Sequence, residues 1–171
     1  MTHRDLCIEV GRWFLSQPWC QLIGWELSYN YGFADVVALT LRDKDPNRRI
    51  CVAEVKRTRS DLLQDLNKGK LLKYEKGTTH CYLAATPEAL RLDKISEDAC
   101  LADLTKLGLP KSWGVLVIGQ EVRSIRSARS INKPNSLRAR ALCKRIARSH
   151  MYRMLNGTDP GGPIPGPEEE C

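Results

Sequence analysis

A chain of 171 residues, 42% apolar and 27% charged, has the material of one ordinary globular domain with its own core. Its longest apolar runs fall far short of the ~18 residues of a membrane span, and the first helix-like stretch carries Asp5 and Glu9 where a signal peptide needs an apolar core. No membrane partner is therefore expected, and the expected compartment is the cytoplasm, or a host cell's if the chain is viral. The net charge of +7 is concentrated: Arg123 to Arg153 holds ten Lys or Arg and no Asp or Glu, which favours a polyanion partner.

His3 to Phe14 has Leu6, Val10, Trp13 and Phe14 at helical spacing, with Thr2 as N-cap, and Gln17-Pro18-Trp19 ends it. Gly24 to Tyr31 reads as a first strand carrying Glu26, and residues 34–42 as a second. Asp43 to Asn47 is a turn. The run Ile50-Cys51-Val52-Ala53-Glu54-Val55-Lys56 reads as a buried central strand. Ser60 is the expected N-cap of a helix to about Glu75, weakened by Gly69, on which Lys70 and Tyr74 share a face. Cys81 to Ala85 is another buried strand. Thr86 and Pro87 start a short helix, and Ser96 caps one that ends near Gly108 and Pro110. Trp113–Ile118 and Glu121–Ile125 form a last hairpin.

Ser136 to Leu155 is amphipathic, with Ala139, Leu142, Cys143, Ile146, Ala147 and Met154 on one side. Arg138, Arg140, Lys144, Arg145 and Arg148 lie on the other. Three readings stand: a helix docked on the core with a solvated basic back, a clamp on DNA phosphates, or a helix lying on an anionic membrane. From Asn156 the Gly/Pro-rich tail cannot bury a core and is expected to be disordered. The seven cysteines include no C-x-x-C pair, which suggests reduced, structural thiols, with Cys171 in the tail. His3, His80 and His150 show no metal-ligand spacing, and His80 reads as structural. Trp13, Trp19 and Trp25 read as core.

The chemistry is concentrated in the central strand. Glu54 and Lys56 are two apart, so they share one face of it. Burying both ions costs several kcal/mol each unless partners compensate. The bland reading is a buried ion network. The functional one is metal-assisted phosphodiester hydrolysis. If the runs around Asp35 and Glu54 pair as a hairpin, the two carboxylates converge on one hard cation. Lys56 beside it would orient or deprotonate a water, or neutralise charge building on the phosphorus.

Asp35 followed by Glu54-Val55-Lys56 resembles the D…(D/E)-x-K signature of the restriction-endonuclease-like (PD-(D/E)XK) superfamily. The stretches Thr58-Arg59-Ser60-Asp61-Leu62-Leu63-Gln64-Asp65, Lys70-x-x-x-Tyr74, His80 to Ala84 and Leu109 to Val117 are similar to MmcB-like DNA-repair nucleases. Lys70 stands where RecB-like relatives carry glutamine. The resemblance covers residues 5 to 130. It implies an α/β fold with a mixed central sheet flanked by helices, restriction-endonuclease-like, here with a basic C-terminal helix. It implies Mg²⁺ or Mn²⁺ held by Asp35, Glu54 and the Val55 backbone carbonyl, with Lys56 assisting the water. Members often place an acid on the first helix near the metal, which makes Glu9 a candidate ligand and Glu26 a lesser one.

The expected organisation is a nuclease core over 1–130, a basic helix packed on it over 131–155, and a tail over 156–171. The expected activity is metal-dependent hydrolysis of DNA, in repair, recombination or phage DNA metabolism, with no small-molecule cofactor. Arg57, Arg59, Lys70 and Tyr74 would hold the scissile strand, with Arg138, Lys144, Arg145 and Arg148 also touching phosphates. The alternatives are a non-catalytic nucleic-acid-binding protein of the same fold and a junction- or flap-specific endonuclease.

Overall fold

The computed structural model describes residues 1–29, 32–41 and 48–155. The expected turn at 43–47 and the tail over 156–171 lie outside them. The elements in chain order are α1 (His3–Leu15), β1 (Leu22–Tyr29), β2 (Gly32–Leu39), β3 (Ile50–Lys56), α2 (Arg59–Asn67), a 3₁₀ helix (Lys70–Glu75), β4 (His80–Ala85), α3 (Pro87–Leu90), α4 (Glu97–Lys106), β5 (Gly114–Ile118), β6 (Val122–Arg126) and α5 (Ser136–Leu155).

The six strands form one sheet whose spatial order is the chain order. β1, β2 and β3 are antiparallel neighbours, β3, β4 and β5 are parallel, and β6 returns antiparallel to β5. Parallel neighbours need long crossovers, here α2 with the 3₁₀ helix and α3 with α4. The result is an α/β fold with a mixed sheet flanked by helices. Alternation along β3 sends Ile50 and Val52 to one apolar cluster, and Cys51, Ala53 and Val55 to another. The first cluster lies under α2, α4 and α5, the second under α1.

Local chemistry sets the ends of these elements. Thr2 and Asp5 form a capping box on α1. Thr58, not the expected Ser60, caps α2 by accepting from the Asp61 amide. The expected continuous helix to Glu75 stops at Asn67. Gly69 adopts a left-handed conformation at φ 60°, and the chain resumes as a 3₁₀ helix. α5 docks through buried Ala139, Leu142 and Ile146. The segment before α5 is anchored too, because the Asn132 side-chain amide donates to the Glu75 and Thr78 carbonyls.

β1 and β2 are interrupted where Glu26 faces Asp35. Trp25 pairs with Val36 and Leu27 with Ala34, but neither Glu26 nor Asp35 is in the register. Glu26 has a left-handed backbone, φ 49°. Ile23 and Val36 belong to the cluster under α1, whereas Leu27 and Ala34 belong to the opposite one. Strict alternation would keep residues four apart on one face. The strand pair therefore switches faces at Asp35.

Candidate metal centre

Glu54 and Lys56 end β3 with 2% and 4% exposure, on the face covered by α2 and the 3₁₀ helix. The Lys56 ammonium lies 2.6 Å from Asp65 Oδ2, 3.0 Å from Glu54 Oε1 and 3.6 Å from Asp61 Oδ2. Asp61 and Asp65, one turn apart on α2, thus close over it. The 3₁₀ helix brings in Lys70, whose ammonium lies 3.0 Å from Asp65 Oδ2 and 3.3 Å from Glu54 Oε1. The break at Gly69 is what returns Lys70 to this cluster.

Asp35 enters from β2. Its Oδ2 accepts from the Val55 amide at 2.7 Å, and its Oδ1 lies 3.3 Å from His3 Nε2. The β2–β3 ladder stops at Val36–Ala53, so the carboxylate takes the place of a backbone acceptor. On a strand the N–H and C=O of one residue point to the same edge. The Val55 carbonyl therefore faces the same gap between β2 and β3.

Burial, joined by the Asp35 charge, pushes the Glu54 carboxyl above the usual carboxylate range against the pull of Lys56 and Lys70. For Lys56, burial opposes the charge, but Glu54 and Asp65 outweigh it and hold the ammonium above the ordinary lysine range. The same contest raises Lys70. Asp65 is lowered despite burial by its bonds to both lysines. Lys56 is thus held as a cation by Glu54 and Asp65.

Four carboxylates (Asp35, Glu54, Asp61, Asp65) face two ammoniums and the His3 imidazole, so negative charge is in excess whether or not His3 is protonated. Glu54 Oε2 is buried without a hydrogen-bond partner, a state that costs about 1–3 kcal/mol or more. An orphaned carboxylate oxygen, a second carboxylate across the gap and a local negative excess together fit a divalent cation held by Asp35, Glu54 and the Val55 carbonyl.

Of the other expected site residues, Glu9, Glu26 and Arg59 are engaged away from the cluster. Glu9 Oε1 accepts from Arg12 at 2.6 Å along α1, so it is spent on its own helix. Glu26 Oε2 pairs with Arg153 at 3.3 Å. Tyr74, expected to touch the scissile strand, is fully buried, and its hydroxyl donates to the Phe33 carbonyl at 2.6 Å. It ties the 3₁₀ helix to β2, and burial together with the neighbouring Glu54 carboxylate pushes its pKa up, so it lines the Glu54 cluster from inside the core. Arg59 is likewise tied down, 2.6 Å from Asp103 Oδ2. Arg57 is exposed and lines a cleft of about 450 Å³ with Met1, Leu6, Thr86, Pro87 and Glu88. On α5, Lys144, Arg145 and Arg148 are exposed or partly so, while Arg138 is half-buried with its guanidinium packed against Gly77.

Sequence reasoning missed Asp61 and Asp65 as partners of Lys56, and His3 as a partner of Asp35. The signal for the first pair was present: two acids four apart on a helix that starts just after the lysine.

No protein-family model matches the chain, and comparison with curated proteins gives no match. Among solved structures it is similar to the SPO1766 protein of unknown function from Silicibacter pomeroyi. That likeness has 21% identity and a TM-score of 0.65, over 98% of this chain and 99% of the other. It extends the α/β architecture to a second protein and supports the fold alone.

Proposed function

We propose that this chain is a metal-dependent nuclease of the restriction-endonuclease-like type that hydrolyses DNA phosphodiester bonds. The observation that carries the reading is Glu54, buried with one orphaned oxygen, beside a buried Lys56 and across the gap from Asp35. Mg²⁺ or Mn²⁺, when bound, would supply Lewis-acid polarisation of a phosphate and an activated water. Asp35, Glu54 and the Val55 carbonyl would hold the ion. Lys56, fixed by Asp65 and Asp61, would present its positive charge to the negative charge that grows on the phosphorus in the transition state. Lys70 would screen Glu54, and Arg57 with the exposed cations of α5 would align the backbone of the substrate.

The test is cleavage of end-labelled single-stranded, double-stranded and branched DNA with Mg²⁺, Mn²⁺ or EDTA. Metal-dependent products are expected from the native chain. Asp35→Ala and Lys56→Ala should each slow cleavage by about 10²- to 10³-fold, the loss typical of a preorganised charge at the reacting centre. Native-like rates in either variant would sink the reading. A second reading, a DNA-binding protein without catalysis, is favoured by the ion pairs of Lys70, which balance Glu54 and Asp65 without any metal. Binding with no cleavage on every substrate and metal would select it.

A further inference from the structure

We propose that His3, Cys7 and Asp35 form a site for a soft divalent cation, with Zn²⁺ the ion that best fits their chemistry. Their ligand atoms all lie within 4.8 Å of one another. His3 and Cys7 are four apart, so α1 stacks them on one face. The capping box of Thr2 and Asp5 fixes the turn that carries His3. Trp25 Nε1 donates to the Cys7 carbonyl at 3.1 Å and ties this turn to β1. Asp35 arrives where β1 and β2 switch faces.

One ring nitrogen faces both other ligands. His3 Nε2 lies 3.3 Å from Asp35 Oδ1 and 3.5 Å from Cys7 Sγ. A tetrahedral zinc, with bonds of ~2.0–2.1 Å to nitrogen and oxygen and ~2.3 Å to sulfur, requires N···O and N···S edges of about 3.3 and 3.5 Å. Two of the three edges therefore already have the length the ion demands. The third, bounded by 4.8 Å, needs an adjustment of at most about 1.3 Å. A thiolate with an imidazole selects zinc over Mg²⁺, which takes hard oxygen ligands. Cys7 is buried, whereas the His3 side chain is 43% exposed, which leaves an approach for the ion and a corner for a water as fourth ligand. On binding, the Cys7 S–H bond breaks, the sulfur–zinc bond forms and the proton passes to solvent, with no change of oxidation state. Asp35 is shared with the proposed catalytic centre, but the three-ligand set does not rest on that reading.

The experiment is titration of the reduced full chain with Co²⁺, whose spectrum reports its ligands. One equivalent should give intense thiolate-to-cobalt absorption and the visible bands of a tetrahedral ion. Cys7→Ser should abolish the charge-transfer band. His3→Ala, at a half-exposed position outside the core, should weaken binding by at least about 100-fold, since even an outer-shell partner is worth roughly 10–100-fold. Glu54→Gln should keep both bands, which separates this site from the catalytic proposal. Absence of the charge-transfer band from the native chain, or native affinity in His3→Ala, would overturn the proposal. Loss of the bands in Glu54→Gln would overturn it too, by placing the cobalt on the Glu54 cluster.

Discussion

Lys56 is 4% exposed and still charged, because three carboxylates surround it. Removing one partner of a buried ion pair leaves an uncompensated charge, at a cost of about 3–5 kcal/mol. Asp65→Asn should fall at the lower end, about 3 kcal/mol, because Glu54 and Asp61 remain to hold the ammonium. Urea unfolding of the two proteins measures it, and a difference under ~1 kcal/mol would mean that Asp65 is dispensable to the cluster. At this scale the sequence was informative about Glu54 and Lys56, since period-two spacing on an apolar strand leaves them one shared face. It set His3 aside for want of metal-ligand spacing. An imidazole on the first turn of a helix looks like a surface residue until β2 delivers Asp35 to it, and that pairing spans 32 residues.

At the scale of elements, periodicity located the helices and strands but not their interruptions. The break after α2 turns on Gly69, visible in the sequence as a weak helix position, yet its result depends on tertiary pairing of Lys70 and Tyr74. The face switch at Asp35 had no sequence signal, because a left-handed glutamate is imposed by packing and not by propensity. α5 was legible in outline: Ala139, Leu142 and Ile146 are buried as expected, but Ala147 is exposed and Arg138, expected on the basic side, is half-buried against Gly77. If that basic side meets DNA as proposed, Lys144→Ala with Arg148→Ala should weaken binding equally for all sequences. The slope of log affinity against log salt should also become shallower, by about 0.9 for each phosphate that the variant leaves unneutralised. Both side chains lie on the solvent side of α5, and alanine favours helix, so the fold should persist. An unchanged salt slope would remove α5 from the interface.

For the whole molecule, stability at acid pH should depend on His80. Burial, with Arg49 nearby, lowers its pKa from 6.5 to about 4. Between those values the unfolded chain takes up a proton that the folded chain refuses, so stability is complete above about pH 6.5 and is lost as pH falls toward 4. His80→Gln should flatten that part of the curve, read as the melting temperature against pH. An unaltered slope would show that the imidazole titrates normally. His3 acts with the opposite sign. Its bond to Asp35 raises its pKa, so its contribution is complete at lower pH and is lost as pH rises through the raised value. The overall class was legible because strands alternate with helices after β3. The pairing of β3, β4 and β5 was not, since register is decided between segments far apart in sequence.

The strand order gives the fold a direction in time. Each strand lies beside its neighbours in the chain, so most closures are short and cost little chain entropy. Asp35, Glu54, Lys56, Asp65 and Lys70 all lie ahead of β4. A chain made from its N-terminus therefore possesses every member of the charged cluster before β5, β6 and α5 exist. The costliest charges to bury must find one another early, while the apolar cover that α5 later completes is still unmade.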